Sequence, residues 1–337
     1  GENIIVSSAT GSGKTHSFLV PIINNLDFNE KLEAIIIAPT RELARQIYNF
    51  ANEFKQFYPS LIVKNFISGV DYSRDLKSMN NGANIIIATP GKLNSLLKDS
   101  SINLSTIKTL VLDEADMLME QGFIEDIESI INKCSVKPQI EVFSATISKR
   151  VESFLKKFID ADYTLTLKDE TPTSSTVNHY LINTKHKNIN DLVLKFLKIK
   201  NPYLLLIFAS LKEDVKKMYE FLSMNGYKVG ILSGDLESRE RKTMLRRINN
   251  DEFRIVVCSD IASRGLDILD VSDVLSLNLP SNLEYYYHRA GRTGRNFKSG
   301  NSYIFYDSDH TKEVFKLIDS GLKLQYLKFS DDSLVED

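Results

Sequence analysis

Residues 8–15 read Ser8-Ala9-Thr10-Gly11-Ser12-Gly13-Lys14-Thr15 and follow the short apolar run Ile4-Ile5-Val6. Two glycines, a lysine and a threonine at that spacing can cradle phosphates. Gly11 and Gly13 let backbone N–H groups turn inward toward an anion. The helix that follows offers its positive end. Lys14 can set a cation on the β- and γ-phosphates of a nucleoside triphosphate, and Thr15 can present a hydroxyl to Mg²⁺. The generic loop has glycine where this chain has Ser8. A Gly-Ser loop that merely caps a helix is the bland alternative. A strand before the loop and Gly-Lys-Thr at the helix start weigh against it.

A second set of groups completes that chemistry. In Thr109-Leu110-Val111-Leu112-Asp113-Glu114-Ala115-Asp116 an apolar run ends in three acids. A strand that delivers Asp113 beside the phosphate loop would hold the metal. Glu114 would then orient and deprotonate the attacking water. Alone, an acidic strand end is more often a solvated turn. Paired with Gly13-Lys14-Thr15 it reads as hydrolytic. The second half has no Gly-Lys-Thr loop, so one nucleotide site is expected per chain.

These residues need a scaffold of strands and helices. β-Branched runs at 3–7, 34–38, 62–66, 84–88, 109–113 and 141–144 alternate with helix-like stretches such as 42–54 and 123–131. The pattern predicts an α/β fold with mostly parallel sheets covered on both faces. It breaks at 169–177, where Thr171-Pro172-Thr173-Ser174-Ser175-Thr176 reads as a linker. It resumes at 180–182, 203–208, 229–232, 254–258, 274–278 and 302–306, and a helix over 309–322 is expected to close the second half. The expected division is 1–168, linker 169–177, 178–325, and a frayed acidic tail over 326–337.

The 337 residues favour two domains, and 42% apolar with 26% charged residues excludes a disordered chain. A net charge of −2 argues against a surface that is basic all over, though not against a local cationic groove. No apolar run approaches membrane-span length and no leader-like segment opens the chain, so cytoplasmic residence is expected. Cys134 and Cys258 lack metal spacing and read as free thiols of a reducing compartment.

The ordered blocks Ala9–Thr15, Ala38-Pro39-Thr40-Arg41-Glu42-Leu43-Ala44, Thr89-Pro90-Gly91, Asp113–Asp116 and Ser144-Ala145-Thr146 resemble the DEAD-box RNA helicases. Ser259-Asp260-Ile261-Ala262-Ser263-Arg264-Gly265-Leu266-Asp267 and His288-Arg289-Ala290-Gly291-Arg292-Thr293-Gly294-Arg295 extend the resemblance over nearly the whole chain. It implies two RecA-like domains, ATP with Mg²⁺ between them, and RNA across both. It assigns Lys14, Thr15, Asp113 and Glu114 the roles already read from the residues. Ala9, Thr10, Gly11, Ser12 and Gly13 join Lys14 and Thr15 around the nucleotide, and Asp267 would lie near its ribose.

Arg292 and Arg295 would be arginine fingers to the γ-phosphate. Ser144 and Thr146, through hydrogen bonds to the acidic motif, and His288 and Arg289 would couple hydrolysis to RNA grip. A solvated basic helix face is the bland alternative for these arginines. RNA contacts would come from Pro39, Thr40, Arg41, Thr89, Pro90, Gly91, Arg264 and Gly265, mainly to the sugar-phosphate backbone. The expected partner is a single strand or short duplex of RNA, read largely without regard to sequence, by a monomer.

Three departures from the family pattern stand out. The upstream segment with the adenine-reading Gln is absent before Gly1, so a truncated core with poor base selectivity is expected. Gly69-Val70 replaces a Gly-Gly pair, and Ser238 stands where Gln is common, three residues before Arg241. Two rivals remain: a non-hydrolysing RNA clamp or assembly scaffold, and a DNA-translocating helicase.

Overall fold

The structure is a computed structural model. It describes residues 2–8, 13–28, 31–69, 71–98, 102–159, 164–166, 176–260, 268, 271–280, 282–294, 298–331 and 333–337. No helix among these is long and apolar enough to cross a membrane. The chain forms two compact units.

The first unit is built on seven strands: β1 Ile4–Ser7, β2 Ala34–Ile37, β3 Val63–Phe66, β4 Ile85–Ala88, β5 Thr109–Asp113, β6 Gln139–Ser144 and β7 Thr164–Thr166. They lie in the order β3-β4-β2-β5-β6-β1-β7, every neighbouring pair parallel. Runs such as Ile35-Ile36-Ile37 and Ile85-Ile86-Ile87 suit central strands, because β-branched side chains fit a sheet buried on both faces. Alternate residues go to opposite faces. Ile35, Ile37, Ile86 and Leu110 join a cluster with α4 (Pro90–Lys98), α6 (Ile124–Asn132) and α7 (Lys149–Leu155). Ile36, Ile85, Ile87 and Val111 join another with α1 (Lys14–Asn24) and α2 (Arg41–Glu53).

The second unit repeats this plan. Its strands are β8 Val177–Asn183, β9 Leu205–Ala209, β10 Val229–Leu232, β11 Ile255–Ser259, β12 Asp273–Ser276, β13 Gly300–Tyr306, β14 Leu324–Ser330 and β15 Ser333–Glu336. The order is β10-β11-β9-β12-β13-β8-β14-β15. Counted from the first strand of each unit, both sheets run 3-4-2-5-6-1-7, and the second adds an eighth strand at the end. The two halves are therefore one α/β architecture used twice, as the alternating pattern implies.

The carboxyl end of the chain differs from expectation. Residues 326–337 are not a frayed tail. β14 adds to β8 in parallel, and β15 turns back on β14 antiparallel. Leu327, Phe329 and Leu334 pack partly buried against the core, and Lys195 Nζ lies 5.5 Å from the centre of the Phe329 ring. Acids dominate the composition of this segment, but Leu327 and Phe329 alternate along one strand face and anchor it. The helix expected to close the second half covers only Thr311–Asp319 (α12) and precedes the hairpin. Val177, placed in the linker by the sequence, opens β8. Residues 169–175 of that linker lie outside the described residues, and Thr176 Oγ1 donates to Gly294 O at 2.7 Å.

Buried in the second unit, His179 Nδ1 lies 2.5 Å from Tyr286 Oη. Burial lowers the His179 pKa to about 4. A histidine held neutral in the fold but free to protonate when unfolded contributes stability above its unfolded pKa. That contribution is lost as pH falls through about 6.5 toward 4. Denaturant unfolding of the second unit within the full chain should weaken by about 2 kcal/mol from this group between pH 7 and pH 5. H179Q should remove most of that slope; an unchanged slope would show that His179 is not its source.

Candidate nucleotide and RNA sites

Sheet order decides which loops meet in the first unit. Strands β5, β6 and β1 are neighbours, and all run the same way. Asp113 at the end of β5 is therefore in register with Phe143, and Ser144 at the end of β6 with Ser7. Ser8 N–H donates to Ser144 O at 3.1 Å, which ties the start of the phosphate loop to the end of β6.

Gly13 caps α1 with φ of 90°, a backbone only glycine adopts without strain. The chain enters α1 there, and Lys14 turns back so that Nζ donates to Ser8 O at 3.0 Å. The same ammonium lies 3.8 Å from Glu114 Oε1, both side chains largely buried. Thr15 follows on the first turn, half-buried. Asp113 is 3% exposed, and its pKa is pushed up to about 7 by burial first and by the charge of Glu114 second, against the opposing pull of Lys14.

Glu114 sits in the left-handed region, φ 51° and ψ 56°, a conformation that costs a non-glycine residue about 1 kcal/mol or more. Its Oε2 is buried and has no hydrogen-bond partner among the described residues. An orphaned carboxylate oxygen, a second buried carboxylate and a threonine hydroxyl are hard oxygen donors, the set that suits Mg²⁺.

The acidic strand end is fastened to the end of β6. Asp116 N–H donates to Ser144 Oγ at 3.1 Å, and Thr146 Oγ1 donates to Asp116 Oδ2 at 3.3 Å. Ser144 is fully buried and Asp116 is 2% exposed.

A second group of loops follows β2 and β4, also neighbours in the sheet. Ala38 N–H donates to Ala88 O at 3.0 Å, so Pro39-Thr40-Arg41 and Thr89-Pro90-Gly91 leave the sheet side by side. Thr40 caps α2 by accepting from Leu43 N–H at 3.2 Å. Gly69 sits at φ 83°, a backbone that strains any residue with a side chain, and a Cβ there would also lie 2.8 Å from Nη1 of Arg41. Thr89 Oγ1 is buried and hydrogen-bonded to nothing among the described residues. Pro90 is buried at the start of α4, and Gly91 is exposed.

In the second unit α11 (Leu283–Ala290) and the turn after it carry His288, Arg289 and Arg292, all buried. Arg289 is 1% exposed. Its Nε and Nη2 donate to both carboxylate oxygens of Asp260 at 2.5 and 2.8 Å, Nη1 to Asn278 O at 2.7 Å, and Nη2 also to Ser210 Oγ at 3.0 Å. Arg292 Nε donates to His288 O at 3.1 Å.

The DEAD/DEAH box helicase family matches residues 1–154, and the helicase conserved C-terminal domain matches residues 184–297. The DEAD-box ATP-dependent RNA helicase CshB of Staphylococcus aureus is 36% identical over 335 residues, 99% of this chain and 75% of that protein. Among solved structures, S. cerevisiae Dbp5 bound to RNA and ADP BeF3 superposes with a TM-score of 0.86 at 25% identity, covering 97% of this chain and 85% of that one. Mss116p bound to ssRNA and AMP-PNP gives 0.85 at 30% identity, over 98% and 71%.

The chain belongs to the DEAD-box ATP-dependent RNA helicases.

Of the helicase residues expected from sequence, Lys14, Asp113, Glu114, Ser144 and Thr146 come together in one corner of the first unit. Pro39, Thr40, Arg41, Thr89, Pro90 and Gly91 gather on the neighbouring strand ends. Ala9, Thr10, Gly11, Ser12, Arg264, Gly265, Asp267 and Arg295 lie outside the described residues. The solvated-face reading of Arg289 and Arg292 is overturned, since both are buried. Sequence reading missed two positions. Asp260, the anion that holds Arg289, was visible only as part of a motif block. Gly69, whose positive φ sets the turn beside Arg41, appears in the sequence only as the retained half of a Gly-Gly pair that departs at Val70.

Arg289 thus holds its unit together besides any part in coupling. R289M should destabilise the second unit by about 3 kcal/mol, because it strands a buried carboxylate. Adding D260N should recover much of that loss in urea unfolding. Equal stability of R289M and the wild type would remove the structural role.

Proposed function

We propose that this DEAD-box helicase hydrolyses ATP by in-line attack of water on the γ-phosphate, and that RNA stimulates the reaction. The corner of Lys14, Asp113 and Glu114 carries the reading, because it sets one buried cation against two buried carboxylates directly beyond a phosphate loop. In this reading Lys14 neutralises the β- and γ-phosphates, and triphosphate draws its ammonium off Glu114. Glu114 then orients and deprotonates the water. Thr15 and Asp113 would hold Mg²⁺, which when bound supplies the charge that offsets the phosphates. Arg292 and Arg295 meet the charge that develops on the transferred group.

Coupling runs through Asp116, gripped by Ser144 and Thr146. A change at the acidic motif moves the end of β6 with it. RNA is held along its backbone by Pro39, Thr40, Arg41, Thr89, Pro90, Gly91, Arg264 and Gly265, and release after hydrolysis lets short duplexes separate. Thr89 Oγ1 supports a hydrogen-bonding role at this surface, since a buried hydroxyl without a partner is unfavourable unless a ligand supplies one. The two free thiols, Cys134 half-buried and Cys258 buried, suit residence in a reducing cytoplasm.

Phosphate release measured with and without single-stranded RNA tests the reading. RNA should accelerate turnover and DNA should not. Absence of turnover with intact RNA binding would make the chain a clamp instead. E114Q should bind ATP and RNA yet hydrolyse roughly 10²–10⁴-fold more slowly; wild-type turnover in that variant would remove Glu114 from the base role. R292A should lose roughly 10³-fold or more in hydrolysis with nucleotide affinity kept. An equal loss of ATP binding and turnover would overturn the finger assignment.

A further inference from the structure

The helix α10, Ser238–Asn249, lies between β10 and β11 in the second unit. Its apolar side, with Met244, Leu245 and Ile248, packs toward the sheet beside Phe253. The opposite side carries Arg239, Lys242 and Arg246, all exposed. At about 100° per residue these three fall within one narrow arc, spread along about 10 Å of helix. Arg241 lies on a different side and is only partly exposed.

This stripe is unfavourable for the protein alone. Arg239 and Lys242 are three apart, and Lys242 and Arg246 four apart. Like charges at those spacings cost a helix about 0.2–0.5 kcal/mol per pair. No carboxylate offsets them: among the described residues none of the three makes an ion pair or a side-chain hydrogen bond. The acids around the helix are engaged elsewhere. Asp235 is held by Lys212 at 2.7 Å, Glu240 by the N–H of Glu237 at 3.1 Å, and Glu252 by Arg247 at 2.9 Å. In a chain of net charge −2, three unpaired cations in a row are a local excess.

We propose that the Arg239, Lys242 and Arg246 stripe binds the phosphate backbone of RNA that continues beyond the segment gripped by the motif loops. The inference rests on the RNA-helicase reading. It adds to that reading a contact on an outer helix face, away from Arg241. Topology gives the direction. β10 and β11 run parallel, so α10 between them runs back antiparallel, with its first turn at the carboxyl edge of the sheet. Asp260 leaves β11 at that same edge, and in sequence it lies four residues before Arg264, a proposed RNA contact. Arg239 therefore sits at the gripped edge, and Arg246 lies further from it. Exposed cations bind RNA by releasing its counterions, without reading bases.

The test compares the wild type with the triple variant R239Q/K242Q/R246Q on a ladder of oligouridylates, by fluorescence anisotropy over a range of salt. A second triple variant, K187Q/K198Q/K312Q, changes net charge equally at other exposed positions of the same unit. On short strands all three proteins should bind alike and show the same RNA-stimulated ATP turnover. On long strands the stripe variant should bind about tenfold more weakly. Its plot of log affinity against log salt should be shallower by about 2, three single-strand phosphate contacts fewer. The second triple variant should match the wild type.

Thermal melting of the stripe variant should be unchanged or slightly higher, since like charges are removed. Equal affinity and slope on long strands would overturn the proposal. So would an equal loss on short and long strands, or an equal loss in the second triple variant. Binding to anionic lipid vesicles that only the stripe variant loses, with RNA binding unchanged, would also overturn it. Failure of RNA to stimulate wild-type hydrolysis would overturn the helicase reading instead, and the length-dependent binding comparison would still decide the stripe.

Discussion

Lys14 is the cation around which the corner of Asp113 and Glu114 is balanced. It faces Glu114 and, more distantly, Asp113, and its own amine is anchored to the carbonyl of Ser8. Two carboxylates buried this close repel each other, which is why Asp113 is pushed toward neutrality. The corner is stable enough to exist but is short of positive charge. The left-handed backbone at Glu114 belongs to the same bargain: the strain aims the carboxylate across the loop instead of out into solvent.

That balance depends on the sheet. Only the order β5-β6-β1 puts the acidic strand end, the Ser-Ala-Thr strand end and the phosphate loop side by side. The next pair outward, β2 and β4, places the proline- and threonine-rich loops as a separate group on the same edge. The two groups of strand-end residues thus occupy one edge of one sheet without mixing. The hydrogen bonds from Asp116 to Ser144 and from Thr146 to Asp116 cross between adjacent strand ends and fasten them together.

The second unit repeats the sheet but not the chemistry. It has no phosphate loop after β8. Its carboxyl-edge groups are locked by the bidentate pair of Arg289 with Asp260, extended to Asn278 and Ser210. A guanidinium fork suits that task better than an ammonium, because it satisfies a carboxylate, a carbonyl and a hydroxyl at fixed angles. The clamp joins α11 to the ends of β9, β11 and β12, and so sets where Arg292 begins.

The sequence by itself determined the fold class, the alternation of strands and helices in both halves, and the residue types of the corner around Lys14. Central parallel strands are continuous apolar runs, and a phosphate loop is contiguous, so both are local signals. It misjudged what depends on partners far along the chain. The acidic end looked unstructured because Leu327 and Phe329 have value only against β8. Arg289 was indistinguishable from a solvated arginine until Asp260, twenty-nine positions away, was placed beside it. The raised pKa of Asp113 and the strain at Glu114 were likewise beyond a linear reading. Tertiary structure decided these because burial and pairing are properties of neighbours in space, and sheet order alone says which strand ends become neighbours.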